Sequence, residues 1–395
     1  MITANELTQY REATSGTRQI IHFNNAGASL PPDIVVNTVT DYLREEALAG
    51  GYETEYKYQH QLEETYTLIA RLINAQANEI AIVENASTAW GYAFNGIRFK
   101  KGDVVITSEM EYITNLLGFL HLKQTHGIEI QVIPNDEQGH FPLHQLEAAI
   151  TPATRLIAIT HIPSTAGTVL PIEEIGSIAR KHGILYLVDA CQTAGHIPID
   201  VTKIQCDILS VTGRKYLRAP RGTGFLYVRE EVQDQLDVML IDGHTATLIS
   251  EHAYELRQDG RRFELYEKSR ALALGLGKAV AYALEIGVDR IWQRIQLLAG
   301  IMRAQLKNIP GVTVHDIGPV QCGIITFSVA GIDSQNIKTQ LAQQHINVSV
   351  GLSKSTLLYM NKHQLISVVR ASVHYYNTEE EIAALCQALI NIIRA

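Results

Sequence analysis

The chain has 395 residues, 46% of them hydrophobic and 19% charged, with a formal net charge of −8. That length leaves room for two or three domains and a large interior, and the balance excludes a disordered chain. The acidic excess argues against a general polyanion binder, so nucleic acid is not an expected partner.

The N-terminal stretch MITANELTQYREATSG mixes acidic and basic residues and carries no signal-peptide pattern. No apolar run approaches the roughly 20 residues that a membrane span needs. The expected setting is therefore cytoplasmic, with no membrane partner. Near residue 50, GGYETEYKY reads as a glycine-containing loop. Its Tyr52 and Tyr56 have two readings: the wall of a pocket for a cationic or aromatic substrate tail, or an aromatic surface or subunit contact.

From about residue 60 to 230 short apolar runs alternate with amphipathic stretches. The strand candidates are Glu79–Val83, Val104–Thr107, Ile130–Ile133, Leu156–Thr160, Leu185–Val188, Ile208–Val211 and Phe225–Val228. Helical patterns cover Ser87–Ile97, Asn115–His126, Leu143–Ala149 and Ile172–His182. Such alternation predicts an α/β domain, a mainly parallel seven-stranded sheet with helices on both faces. Ligands of such sheets sit outside the carboxyl ends of the strands, so the residues following each strand carry the functional reading.

Ser87 and Thr88, in ENASTAWG, open a helix after the first strand. They are either ordinary caps or part of a phosphate cradle built on a helix N-terminus. Tyr112, in SEMEYITN, is a packing residue or a ring that stacks on a planar ligand. His140 and His144 have metal-like spacing but no third ligand, which predicts a surface helix rather than zinc. HIPSTAGTVLP is a further strand-end loop with small polar groups, Ser164 and Thr165.

Asp189 leaves the apolar run ILYLV, and such a carboxylate is costly to bury unless it meets a cation or donors. Gln192 follows three residues on, able to donate and accept. In TGRKYLRAPRGTGFLYV, Lys215 lies just past a strand and before a glycine-rich turn, without Walker spacing. A lysine in a semi-buried pocket is a candidate Schiff-base nucleophile, because burial favours its neutral amine. Cys191, Cys206, Cys322 and Cys386 form no CxxC pair and read as buried reduced thiols.

Beyond residue 265 the pattern changes. Long helices are expected over Ser269–Ile286 and Val288–Leu306, then short strands at Val312–His315, Gly323–Val329, Asn347–Val350 and Ser367–Ser372, and a last helix over Glu379–Ile393. This predicts a smaller α+β domain. The division is residues 20–268 for the large domain and 1–19 with 269–395 for the small one, with Ser269–Ile286 as the linking helix.

A phosphate cradle, an acid for a ring nitrogen, a stacking ring and a reactive lysine are the fittings of a pyridoxal phosphate (PLP) site. In this combination the chain resembles the class V branch of the fold-type-I PLP enzymes. The landmarks run in order through nearly the whole chain: FNNAGASLPP, NAST, SEMEYITN, HIPSTAGT, VDACQTAGH, TGRKYL, RRFELYE and VRASVHYYNTEEEI. The resemblance implies a fold-type-I transferase architecture and PLP as cofactor. It implies that Lys215 is the Schiff-base lysine, that Asp189 pairs with the pyridine nitrogen and that Gln192 reaches the phenolic oxygen. Ser87, Thr88 and Thr212 would hold the phosphate, Tyr112 would stack on the ring, and Arg370 with Asn25 would bind a small amino-acid substrate. A homodimer with its active site at the interface is also implied, RRFELYE matching the segment lent by the partner.

Two departures shape the expected function. The region matching the loop of the cysteine desulfurases, GLSKSTLLYMNKHQLIS, contains no cysteine, and Arg214 replaces the usual histidine before the lysine. With RRFELYE and the early GGYE, these strings look most like hercynylcysteine sulfoxide lyases. The expectation is a β-eliminating C–S lyase that yields pyruvate and ammonia, with a class V aminotransferase second and a desulfurase or selenocysteine lyase behind both.

Overall fold

Seven strands form the main sheet in a computed structural model that describes residues 1–394. They are β1 (Ile80–Val83), β2 (Val104–Ser108), β3 (Glu129–Ile133), β4 (Thr154–Thr160), β5 (Leu185–Asp189), β6 (Ile208–Thr212) and β7 (Gly224–Val228). Their order is β1-β7-β6-β5-β4-β2-β3. From β3 to β6 every pairing is parallel, and β7 pairs antiparallel with both β6 and β1.

Residues two apart along the strands divide between two cores, as the pleat requires. Leu156, Ala158, Leu185 and Leu187 pack on one face with Trp90, Phe94 and Phe119. Ile157, Ile159, Tyr186 and Val188 pack on the other with Ile175 and Ala179. Both faces being covered, the central strands are mainly apolar.

Helix Arg270–Ile286 follows this domain and turns by 76° into helix Val288–Lys307. Among the described residues no single helix is long and apolar enough to cross a membrane. A second, antiparallel sheet joins Val312–Val314, Ile324–Val329, Ser367–Ser372 and Ser349–Leu352 in that spatial order. Arg303 braces it: its Nε donates to Asp316 at 2.8 Å and its Nη2 to the carbonyls of Cys322 and Ile324. The N-terminal helix Ala4–Glu12 joins this half through Arg11–Glu381 and Glu6–Arg290. The loop after β4 is stitched to the same half by Cys322 N–H donating to the Gly167 carbonyl at 2.7 Å.

The region near residue 50 differs from expectation. Helices Asp33–Ala49, Gly51–Lys57 and Gln59–Ile73 run almost without a break. Gly50 alone takes a positive φ, +98°, while Gly51 begins the next helix. A hairpin, Ala246–Ser250 with Ala253–Leu256, was also unanticipated. Its exposed Leu248, Ile249 and Tyr254 show none of the buried-face pattern that flags a strand. All four cysteines are buried and unpaired. His140 hydrogen-bonds Asp136, and among the described residues no group of His, Cys, Asp or Glu could hold a metal.

Candidate active site

A cavity of about 350 Å³ opens where β4, β5 and β6 end, and Arg370 reaches its wall at Ser164. Its polar lining comes from five separate strand-end segments, including Ser87, Tyr112, Asp189, Gln192, Thr212 and Lys215. Long-range topology thus brings together residues that the sequence shows only as isolated loop positions.

Asp189 closes β5 and is buried. One carboxylate oxygen accepts from the Cys191 amide at 2.9 Å and the other from Asn115 Nδ2 at 3.0 Å. Lys215 follows β6 by three residues and makes no ion pair or side-chain hydrogen bond among the described residues. Burial pushes its pKa down from the ordinary lysine value, with Cys191 and Asp189 pulling weakly the other way. The segment after Lys215 is held by a close approach. Gly195 has φ +76°, and a Cβ there would lie 2.6 Å from the Tyr216 carbonyl oxygen.

Tyr112 precedes helix Ile113–His126 and lines the cavity half-buried. Gln192 donates through Nε2 to the Ala26 carbonyl at 3.1 Å, while its buried Oε1 has no partner. At the other end, Asn85 caps helix Ala86–Gly96 by accepting from the Thr88 amide at 3.0 Å. That capping leaves the first turn's amides beside Ser87, Thr212, Arg214 and Arg221, which all line the cavity. Arg214 has one side-chain contact, to Thr212 Oγ1 at 3.4 Å, and neither arginine forms an ion pair among the described residues.

This donor set fits PLP. An unanswered acceptor suits a phenolic hydroxyl, a partner-free amine suits an aldehyde, and two uncommitted guanidiniums with a helix N-terminus suit a phosphate dianion. Arg370, on strand Ser367–Ser372, donates to the Ser164 carbonyl at 2.8 Å, and its Nε is buried without a partner.

Two expected residues do not join the site. Asn25 is fully buried, with Nδ2 donating to the Ser372 carbonyl at 2.6 Å and Oδ1 accepting from Tyr376. Its amide is consumed in tying the early chain to the small domain, and its neighbour Asn24 is the one that faces Arg370, at 3.5 Å. Thr88 is not among the residues that line the cavity, and its backbone amide donates to the Asn85 cap. Tyr52 and Tyr56 line a separate cavity with Tyr66 and Tyr266. Within RRFELYE, Glu264 is buried in its own chain and held by Tyr66 and Lys268.

Asn115, Cys191, Arg214 and Arg221 belong to the lining but were not singled out as site residues. Asn115 was the findable one, since it lies one helical turn beyond Tyr112 and shares its face.

A family model described as aminotransferase class V matches residues 20–385. A probable cysteine desulfurase of Methanothermobacter thermautotrophicus is 32% identical over 382 residues, 95% of each chain. The apo structure of a cysteine desulfurase from Thermococcus onnurineus NA1 superposes with a TM-score of 0.92 at 28% identity, covering 98% of each chain. A C-DES variant with glycine covalently linked to its PLP cofactor shares the fold, with a TM-score of 0.88 at 22% identity over 96% of this chain and 99% of that one. These relatives overturn the hercynylcysteine sulfoxide lyase reading, because similarity along the whole chain leads to proteins named cysteine desulfurase. With that match and this cavity, the chain belongs to the class V aminotransferase family and is a PLP-dependent enzyme of the fold-type-I architecture.

Proposed function

We propose that this enzyme removes sulfur from L-cysteine, leaving alanine, as its relatives' names describe. The observation that carries this reading is the convergence of Lys215, Asp189 and Gln192 in one cavity, whose lining residue Ser164 accepts from Arg370. When bound, PLP supplies an electron sink for charge developing at the substrate's α-carbon. Lys215 would hold the cofactor, and its amine, whose pKa burial lowers, is suited to moving the substrate's α-proton. Asp189 would hold a proton at the cofactor's ring nitrogen, and Tyr112 would offer its aromatic face to the ring. Ser87, Thr212 and the start of helix Ala86–Gly96 would hold the phosphate, with Arg214 and Arg221 balancing its charge. Arg370 grips the substrate carboxylate.

Sulfur transfer needs an acceptor, and strand Ser349–Leu352 and the helical turns Ser353–Lys362 carry no cysteine. We therefore assign that role to an external thiol. One cysteine and two thiols then give alanine, hydrogen sulfide and a disulfide: the two thiols are oxidised to the disulfide, the β-carbon is reduced as its bond to sulfur is replaced by one to hydrogen, and the departing sulfur ends as sulfide. Incubating the PLP-loaded enzyme with L-cysteine and dithiothreitol should yield alanine and sulfide in equal amounts. Pyruvate and ammonia in place of alanine would sink this reading.

The division into residues 20–268 and 1–19 with 269–395 remains our proposal, supported by the ion pairs of the N-terminal helix with the C-terminal half. We also propose a homodimer, supported by exposed Met239, Leu240, Ile241, Leu248 and Ile249. A monomeric mass in light scattering would count against it.

A further inference from the structure

Behind Asp189 lies a second buried carboxyl group, which the chemistry above does not use. Glu111 is 1% exposed and sits between the ends of β2 and β4. It accepts from Thr107 Oγ1 at 2.9 Å, from the Tyr112 amide at 2.8 Å, from Asn115 Nδ2 at 2.8 Å and from Thr160 Oγ1. The same Asn115 nitrogen donates to Asp189 at 3.0 Å. Both neighbours being acceptors, the Asn115 amide has one workable orientation, with one N–H for each carboxyl group.

We propose that Glu111 is a positioning residue for the cofactor: through Asn115 it fixes the Asp189 carboxylate, and its own charge sets the pH at which bound PLP loses its proton. The inference rests on the PLP site but not on the identity of the sulfur substrate.

The surroundings of Glu111 support this. From β2, β4 and helix Ile113–His126 it meets only neutral donors, Thr107, Thr160 and Asn115. The charged group acting on it is Asp189. Nearby Glu109 is occupied by Lys362, with both oxygens at 3.0 Å. Burial, reinforced by the charge of Asp189 and opposed by the hydrogen bonds, raises the Glu111 pKa to about 7. Glu111 thus changes charge near neutrality, two hydrogen bonds from Asp189. When ionised, it adds negative potential that holds the cofactor's proton more tightly.

The test is a pH titration of the visible absorption of the PLP-loaded enzyme. The wild type should show an inflection near pH 7, where Glu111 titrates. Glu111→Gln keeps an acceptor for these donors but cannot ionise. It should retain PLP, lose that inflection, and lose its visible band at a pH lower by about one unit. Asn115→Ala, which keeps Glu111 but removes a hydrogen bond that lowers its pKa, should keep the inflection and move it to higher pH. A merely structural Glu111 would change stability or PLP affinity and leave the profile unmoved. A flat wild-type titration through neutrality, or superimposable wild-type and Glu111→Gln profiles, would overturn the proposal. Should Glu111→Gln fail to fold, the wild-type and Asn115→Ala titrations still decide. The absence of any visible band would instead bring down the cofactor site itself.

Discussion

Replacing Arg370 with methionine tests how the site recognises its substrate. The guanidinium is half-buried, has one good hydrogen bond, to Ser164 at 2.8 Å, and a weaker one to Asn24 at 3.5 Å. Its Nε is buried without a partner, no ion pair forms among the described residues, and burial lowers its pKa. Holding such a cation out of water costs several kcal/mol. A single charged hydrogen bond returns only about 1.5–3 kcal/mol. The shortfall is made up when a carboxylate arrives. Arg370→Met should therefore leave the free protein as stable as wild type or more stable by about 1 kcal/mol. It should also cost about 3–4 kcal/mol of transition-state binding, a loss of roughly 10²–10³-fold in kcat/KM for L-cysteine. Cysteamine, which lacks the carboxylate, is the control and should react equally slowly with both proteins. Sulfide release with the two substrates, together with urea midpoints, gives all the numbers. Equal losses with both substrates, or destabilisation by several kcal/mol, would refute the reasoning.

Three further predictions follow from the same packing. Gly195→Ala puts a Cβ 2.6 Å from the Tyr216 carbonyl oxygen at a positive φ, so it should cost at least about 1–2 kcal/mol and lower PLP occupancy, read as cofactor absorbance per protein. Arg303→Met leaves Asp316 buried with its charge unpaired and should lower unfolding free energy by about 3–5 kcal/mol in a denaturant titration. For Glu111 the folded pKa, about 7, lies above the ordinary carboxyl value of 4.5. Between those values the native state binds the extra proton, so stability falls as pH rises through the window. Glu111→Gln should thus gain on wild type by about 3 kcal/mol at pH 8 and lose that advantage below about pH 5, as followed by urea midpoints.

The central sheet was legible because β4, β5 and β6 are buried on both faces and so read as short, mainly apolar runs. Asp189 and Lys215 were legible because a polar group at the end of such a run has few purely structural uses. Asn25 misled because its partners, Ser372 and Tyr376, are about 350 positions away in sequence. The cap that Ser87 and Thr88 were read to supply falls on Asn85, which accepts from the Thr88 amide. The Gly50–Gly51 pair read as a loop, yet only Gly50 needs the left-handed conformation. Arg214 and the missing loop cysteine drew the functional reading toward one branch, but single positions carry less weight than identity spread over 95% of the chain.

The most direct measurement is reductive trapping. The protein is loaded with PLP, reduced with borohydride and digested, and the labelled peptide is identified by mass. The account predicts the cofactor's mass on Lys215 and no labelling of a Lys215→Ala variant. Label on another lysine, or none on the wild-type protein, would contradict it.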